Sequence, residues 1–298
     1  MIHAVNRPKW LRRRRAVRVA LAALIRRPSG VFGLAVAGTL VLASLVSLLW
    51  TPYDPQATNP SKAWLLPFNA GHLLGTDRVG HDVFSQLLAG AWQTLAVALV
   101  VAAIAGTLGL ILALAAQLTP HVVGSVVVQL IDIMIAFPAL LLAMVLAAVY
   151  GGSMLTVAVA IGISSGVAVA RVARGEVARV LTSDFVLAAR AAGASTARIV
   201  RKHLLPAIAP TLIVQLSWVM ALAVLAEAAL TYLGYGSSPS APSWGGILRA
   251  QQDYIKVRPL LVVWPGLAVA LTVLGFNLLG DALRSVTDPR LRKGVPTQ

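Results

Sequence analysis

Three polar side chains stand inside long apolar stretches of this sequence, and they are the first residues to which chemistry can be assigned. They are Asp132, Glu227 and Asn277. A carboxylate at the centre of a membrane span costs on the order of 3 kcal/mol, so such residues usually face a bundle interior or a water-filled path. Asp132 and Glu227 therefore either line a translocation path or form bonds between helices. Asn277 has the same two interpretations, and a lone Asn more often bonds two helices.

A second group of candidate residues lies outside the apolar stretches. Asp77 precedes a glycine turn, and it either caps a short helix over residues 81–90 or contacts a soluble protein that delivers substrate. Thr76 and Asp82 are the neighbouring candidates for the same contact. Trp244 is a further candidate for this contact, and it is otherwise either an interfacial anchor, which is a common position for Trp in membrane proteins, or part of an outer gate.

The sequence contains no constellation of residues for hydrolysis, redox chemistry or nucleotide binding. The G-x-x-x-x-G-K-[ST] loop of ATP-binding subunits is missing, and the five histidines are scattered without the spacing of a metal site. The lack of cysteine excludes disulfides and thiolate zinc sites. The sequence therefore predicts that this chain is not an enzyme and that it holds no metal or cofactor of its own.

The composition indicates a membrane protein. Hydrophobic residues make up 58% of the chain and charged residues 12%, whereas soluble domains have about 45–50% and about 25%.

The apolar stretches predict six spans, since a helical span needs about 20 apolar residues. They cover residues 31–50, 92–118, 122–150, 154–170, 210–233 and 260–280. Asp132 and Pro138 predict a tilt or kink in the third stretch, and the Gly- and Ser-rich fourth stretch is typical of a helix inside a bundle.

The basic residues predict how these spans are oriented. Of the 25 Lys and Arg, nine lie in residues 1–30, seven in 171–209 and four after position 280. The positive-inside rule places these three segments, and with them both termini, in the cytoplasm, and places segments 51–91 and 234–259 outside. Because the basic residues flank apolar stretches, the net charge of +15 indicates anionic lipid rather than nucleic acid as the partner. A cleaved signal peptide is the alternative for the first span.

One stretch between the fourth and fifth spans, SDFVLAARAAGASTARIVRKHLLP (residues 183–206), is too polar for a span and yet has an apolar side. Ser183 and Asp184 fit the start of a short helix, and Gly193 fits its end. A second short helix follows, and Pro206 is expected to stop it. The stretch is either an interfacial linker with snorkelling arginines or a docking element whose apolar face fills a groove on a soluble partner.

This stretch resembles the cytoplasmic coupling loop of ABC importer permeases, whose pattern is Glu-Ala-Ala, three residues, Gly, nine residues, then Ile-x-Leu-Pro. Leu187 in place of the Glu and His203 in place of the Ile are typical of the dipeptide and oligopeptide branch of that family. The matching positions are Leu187, Ala188, Ala189, Gly193, His203, Leu205 and Pro206.

Four more stretches resemble motifs of the same branch and occur in the same order. His81 in the first stretch and Gln129 just before the second stand where the family usually has Arg, and Ser285 in the fourth stands where it has Asp. The stretches are LLGTDRVGHDVFSQLLAGA (73–91), LIDIMIAFPALLLA (130–143), AEAALTYLGYGSSPSAPSWGGIL (226–248) and PGLAVALTVLGFNLLGDALRSVTDPR (265–290).

The resemblance implies an all-α integral membrane protein with six transmembrane helices and the type I ABC importer permease fold. A basic cytoplasmic segment, 1–30, would precede a first transmembrane helix with an extracytoplasmic segment, 31–91. A five-helix permease core, 92–285, would contain the cytoplasmic coupling loop 171–209. The cytoplasmic tail would be 286–298.

The resemblance also implies a function and a set of partners. The chain would be a permease subunit in a bacterial plasma membrane, forming half of the translocation path for imported di- and oligopeptides. Its partners would be a second permease in a heterodimer, two cytoplasmic ATPases that bind ATP and Mg²⁺, and an extracytoplasmic peptide-binding protein. Residues expected to contact the ATPases are Asp184, Ala188, Ala189, Arg190, Gly193, Ala194, Ser195, His203, Leu205 and Pro206.

Other functions stay open at this point. Nickel complexes and glutathione are alternative cargoes for the same class of permease. A secondary transporter driven by an ion gradient would also explain carboxylates in apolar stretches, and a membrane scaffold that transports nothing is a further alternative.

Overall fold

The computed structural model describes residues 24–236 and 242–287, and within these ranges the chain is helical and has no β-strand. Most of the predicted basic N-terminal segment and the tail from residue 288 lie outside the described residues. The helices are α1 Pro28–Leu49, α2 Val83–Leu118, α3 His121–Ile135, α4 Ala139–Tyr150, α5 Met154–Leu181, α6 Asp184–Ala191, α7 Thr196–Ile199, α8 Leu205–Leu233, α9 Trp244–Gln251 and α10 Leu260–Thr287.

Five continuous helical segments among the described residues are long and apolar enough to cross a membrane. They are α1, α2, α5, the segment from α7 through α8, and α10. The pair α3 and α4 makes a sixth crossing if it is one broken span, and its two axes differ by 83°. The six predicted spans therefore all correspond to helices, and the predicted kink in the third is confirmed at Pro138, which lacks an N–H to continue the helix.

Two spans are longer than the sequence pattern predicts. α2 begins at Val83 instead of residue 92, because the Asp82 carboxylate caps it by accepting a hydrogen bond from the Ser85 N–H. α5 continues to Leu181 instead of residue 170. Segment 171–180 is therefore helix and not loop, and only the residues that follow α5 form the connection to the fifth span.

Small residues let α2 and α5 cross in close contact at the centre of the bundle. A Cβ at Gly162 would lie 2.8 Å from Ile104, and one at Gly109 would lie 2.6 Å from Val169. Gly162 and Gly166 form a G-x-x-x-G pair, the spacing that permits such an approach. The apolar part of α5 is 56% buried, a larger share than in any other continuous span of the described residues, so the prediction of an interior helix is confirmed.

The contacts between α2 and α5 also fix which parts of the molecule share an end. Residues 104 and 109 of α2 meet residues 162 and 169 of α5, so the two helices run parallel. The segment before α2 and the end of α5 therefore lie at opposite ends of the bundle. We call residues 51–82 together with 242–259 the cap, and residues 183–204 the α6–α7 element.

The sequence predicts that the fifth span begins after Pro206, and this prediction is wrong. A single helical segment runs from Thr196 to Leu233, with a π-helical turn at Val200–Leu204 before α8. In that turn the Leu205 N–H donates to the Val200 carbonyl, five residues earlier. Because a wider turn shifts the preceding carbonyls away from the proline ring, Pro206 is accommodated in the first turn of α8 instead of ending the helix.

Candidate functional site

The short helix α6 begins where the sequence predicts, at Asp184 after Ser183. The Ser183 side chain does not cap it, because its hydroxyl instead donates to the Val180 carbonyl at 2.5 Å. The exposed Asp184 carboxylate stands in the first turn, where the helix dipole favours a negative charge. The junction of α5 and α6 is therefore a tight turn stabilised by the chain's own polar groups.

Gly193 ends α6 in a Schellman turn. Its φ is +77°, the left-handed conformation that glycine adopts without a steric penalty. The Ala194 N–H donates to the Ala189 carbonyl at 3.0 Å and the Gly193 N–H donates to the Arg190 carbonyl at 2.9 Å. These two bonds satisfy carbonyls at the end of α6 and aim the chain into α7, which begins after Ser195.

One face of the α6–α7 element is anchored to the bundle. Val186 of α6 is fully buried, and Ile199 and Leu204 on the following turns are buried with it. They pack in one cluster with Val177 and Val180 at the end of α5. The element is therefore held by apolar packing from both neighbouring spans, and a force on it reaches α5 and α8 directly.

The opposite face of the element is apolar and exposed. Phe185 and Leu187 are each 50% exposed, and Ala188 and Ala192 are exposed beside them. The sequence predicts an apolar stripe on α6, and in the structure most of that stripe points away from the bundle while Val186 fills the core. The Phe185 ring contacts the His203 ring, with 6.2 Å between centroids.

The α6–α7 element also carries exposed polar and charged groups. Arg190 is exposed on α6, and Ser195 is exposed in the turn. On the second half of the element the cationic side chains are also exposed. They are Arg198, Arg201 and Lys202. The remaining predicted positions lie at the edge of the element, with Ala189, Ala194, His203 and Leu205 half-buried and Pro206 exposed.

The structure does not bring the predicted path residues to one site. The Asp132 carboxylate forms an ion pair with Arg171 of α5 at 3.5 Å, and both side chains are about half exposed. Glu227 is 2% exposed and lies between α8 and α2, where it accepts a hydrogen bond from Thr231 at 3.0 Å and has Gln93 beside it. Asn277 is half-buried on α10.

The four candidate residues of the cap are buried, with exposures between 1% and 5%. Asp82, and not Asp77, caps the helix that the sequence places over 81–90, which is the start of α2. The Asp77 carboxylate instead accepts bonds from the backbone N–H groups of Val79 and His81. The Thr76 hydroxyl donates to a backbone carbonyl of the same segment. These side chains shape the cap, and their contact with a delivery protein stays a prediction.

Trp244 is not an interfacial anchor in this chain. Its ring is buried, its Nε1–H donates to the Leu87 carbonyl at 2.9 Å, and it packs against Gly90. It therefore ties α9 to the first turns of α2. The sequence interpretation fails because a Trp between two apolar stretches has the same local pattern whether a later segment covers it or not.

Some polar residues of the cap were not singled out by the sequence. His72 is buried, donates from Nδ1 to the Asp82 carboxylate at 2.9 Å, and stacks on Tyr53 with 4.4 Å between ring centroids. Gln251 is buried against Asp77, which lies 174 positions earlier. Such distant pairs leave no local spacing signal. Among the described residues no group of three His, Cys, Asp or Glu could hold a metal ion.

Comparison with known proteins identifies the family. Residues 105–293 match the model of the binding-protein-dependent transport system inner membrane component. A di/tripeptide transport system permease protein from Pseudomonas aeruginosa (strain UCBPP-PA14) is 38% identical over 263 residues, which is 86% of each chain. The chain belongs to this family of transport permeases. It is therefore a multi-pass inner membrane protein of the ABC importer class.

Other relatives of this permease differ in what they carry. The nickel transport system permease protein NikC of Escherichia coli (strain K12) is 36% identical over 253 residues, covering 85% of this chain and 91% of the relative. A solved chain of the MetNI methionine ABC transporter, crystallised in inward-facing conformations, superposes with a TM-score of 0.56 at 22% identity. It covers 68% of this permease and 97% of that chain, and it confirms the type I importer permease fold.

Proposed function

We propose that this permease imports di- and oligopeptides and that its α6–α7 element transmits the work of ATP hydrolysis to the membrane spans. The observation that carries the proposal is that one face of the element is packed against the bundle while its other face is apolar and exposed. Its inner face is packed between the ends of α5 and α8, and its outer face exposes Phe185 and Leu187. An exposed apolar surface on an anchored helix that also carries exposed charges is typical of a docking site for a folded partner.

The partners follow from the family. Two cytoplasmic ATPases would bind ATP and Mg²⁺ and hold the α6–α7 element in surface grooves. A second permease would complete the translocation path, and an extracytoplasmic peptide-binding protein would deliver cargo to the cap end. The charge distribution supports this orientation, because segment 171–209 holds seven basic residues at the α6–α7 end. The N- and C-termini are then cytoplasmic.

Alternating access would link docking to transport. ATP closes the two ATPases together, the α6–α7 elements of both permeases move with them, and the spans repack between inward-open and outward-open arrangements. ATP can shift this equilibrium only through different affinities for the two arrangements. Asp132, Glu227 and Asn277 remain candidates for the path, Asp132 because its ion pair with Arg171 is half exposed on this chain.

The cargo rests on the relatives. The di/tripeptide permease of P. aeruginosa supports short peptides, and the similar identity of NikC supports nickel complexes as the alternative within the same class. Glutathione is a further small-peptide cargo. The family match favours these cargoes over a secondary transporter driven by an ion gradient.

Changing Phe185 to Ser tests the proposed coupling. The substitution removes the largest exposed apolar group of α6 without touching the buried Val186, so the chain should fold and insert while ATPase docking weakens. In proteoliposomes that contain the whole complex, we expect ATP-driven uptake of L-alanyl-L-alanine to fall at least tenfold, as for loss of an aromatic anchor.

The matched control is Phe32→Ser, because Phe32 is 37% exposed on α1 and belongs neither to the α6–α7 element nor to the cap. This control should leave uptake within about twofold of wild type. Equal uptake by wild type and Phe185→Ser would exclude the α6–α7 element as the transmission site. Uptake of Ni²⁺ complexes without any uptake of the dipeptide would reassign the cargo.

A further inference from the structure

A polar cleft of about 920 Å³ opens at the cap end of the molecule. It lies between the first part of the cap, the end of α8 and the helix α9, and the residues that line it include Asp77, Arg78, Arg249 and Gln251. Its volume is in the range of small-molecule sites. None of the residues expected to form the path or the ATPase contact lines this cleft, and of the candidate contacts for the delivery protein only Asp77 does.

The base of the cleft has an acceptor without a donor. Gln251 is 3% exposed, and its Nε2 donates to Asp77 Oδ2 at 3.3 Å. Its Oε1 has no hydrogen-bond partner among the described residues. Reversing the amide would place an oxygen against a carboxylate, so the orientation with Oε1 free is the favourable one. A buried carbonyl oxygen of this kind is destabilising until a donor reaches it.

Asp77 supplies negative charge next to this free oxygen but has no acceptor to spare. Its Oδ1 accepts from the N–H groups of Val79 and His81 at 3.0 and 2.9 Å, and its Oδ2 accepts from the His81 ring at 2.8 Å. The carboxylate is thus fixed in place by the turn around it. A group that carries both a positive charge and N–H donors fits the base of the cleft, because the charge meets Asp77 and a donor meets Gln251.

The cleft has positive charge further along its wall. The Arg249 guanidinium lies against the backbone of Gly234 at the end of α8, where a Cβ would overlap it. Arg78 also lines the cleft. A guanidinium recognises a carboxylate through paired N–H donors. The cleft therefore offers an acceptor with negative charge at its base and cationic donors along its wall.

We propose that this cleft is a receiving site for a short peptide, with the peptide's α-ammonium at Gln251 and Asp77 and its α-carboxylate at Arg249. The inference rests on the proposed peptide cargo and adds a site for it within the permease itself. Thr231 lines the cleft and donates to Glu227 inside the bundle, so a single hydrogen bond joins the wall of the cleft to a candidate path residue. The peptide would thus be held between the delivery protein and the path.

A binding experiment on the purified complex tests this site. Because the chain has no cysteine, Gln252→Cys places one thiol of this chain at the wall of the cleft for an environment-sensitive fluorophore. L-alanyl-L-alanine should change its fluorescence at concentrations about tenfold lower than N-acetyl-L-alanyl-L-alanine does, because acetylation removes the charge and N–H donors. Adding Gln251→Leu should abolish this preference, and Arg249→Gln should weaken binding of the dipeptide but not of its C-terminal amide.

Gln117→Leu is the matched control, since Gln117 is half-buried at the other end of α2, and it should leave the preference unchanged. Equal binding of free and acetylated dipeptide, or a preference that survives Gln251→Leu, would overturn the site. If Gln251→Leu weakened binding of both peptides to the same extent, Gln251 would have only a structural role in the cap, and this result would also overturn the proposed site. ATP-driven uptake of L-alanyl-L-alanine by the wild-type complex is measured in parallel, and its absence would instead overturn the peptide function.

Discussion

A single backbone angle at Gly193 sets the direction in which the chain leaves α6. The left-handed φ of +77° is required there, although the space around the residue is open. A side chain at this position would therefore act through the backbone alone, since it meets no neighbour. A substitution at Gly193 therefore measures the effect of backbone strain without any steric overlap, whereas most substitutions in a packed bundle combine the two effects.

Gly193→Ala should impair coupling while Gly175→Ala should not. Both glycines have open space around them, but Gly175 lies within α5 at an ordinary helical angle. Ala at Gly193 costs about 1–2 kcal/mol in the left-handed region, whereas Ala within a helix is favourable by about 0.5–1 kcal/mol. We expect fewer dipeptides transported per ATP hydrolysed for Gly193→Ala, at unchanged chain abundance. Wild-type coupling in this variant would show that the turn geometry is irrelevant to function.

Asp82 is the residue on which the cap most depends. Its buried carboxylate accepts bonds from the Ser85 N–H and hydroxyl, and it pairs with His72. Asp82→Ala removes a helix cap and leaves two buried polar side chains without this acceptor. We expect a loss of about 3 kcal/mol in the free energy of unfolding, measured by denaturation of the purified chain in detergent. Asp54→Ala, at an exposed turn residue, should cost less than about 1 kcal/mol, and equal losses would refute the cap assignment.

At the scale of the element, the crossing of α2 and α5 determines how the ends of the bundle are arranged. Gly109, Gly162 and Gly166 allow backbones to approach where any side chain would collide. In lipid there is no hydrophobic driving force between helices, so this close packing contributes much of the association free energy. The crossing fixes the position of α5, and the end of α5 in turn positions the α6–α7 element that follows it.

Gly162→Leu should destabilise the bundle, because even a Cβ there lies 2.8 Å from Ile104. We expect a loss of about 2–3 kcal/mol from overpacking, seen as a lower unfolding midpoint and a reduced amount of inserted chain. Gly266→Leu is the control, since no atom lies within 4 Å of a Cβ at that position of α10. A similar loss in both variants would mean that the crossing tolerates side chains.

The sequence predicts which segments are helical better than it predicts where each helix begins and ends. Six apolar stretches, the kink at Pro138 and the turn at Gly193 follow from local pattern, because each depends on residues next to one another. The passage of a helix through Pro206 does not, because a π-turn that relieves the proline leaves no compositional mark. The pairing of Gln251 with Asp77 also could not be predicted, since 174 positions separate the two residues and only the assembled cap brings them together.

At the scale of the whole molecule, the two ends of the bundle differ in chemistry. The cap end contains a polar cleft and a network of buried carboxylates, histidine and amide. The other end exposes an apolar helix face, and Arg190, Arg198 and Arg201 of the same element are exposed as well. The cap end is suited to receive a polar solute, and the α6–α7 end is suited to dock a protein. This polarity is the physical basis for assigning cargo and ATPase to opposite sides of the membrane.

The most direct measurement of this account is cross-linking at Ala192, an exposed residue beside Gly193 in the α6–α7 element. With Ala192→Cys introduced into a chain that has no other cysteine, a thiol-directed photo-cross-linker is activated in membranes that contain the complete transporter. We predict a cross-link to the ATP-hydrolysing subunit whose yield changes when ATP is bound, and no reaction with a membrane-impermeant thiol reagent added outside intact cells. A thiol that reacts from outside, or that never cross-links to an ATPase, would contradict the account.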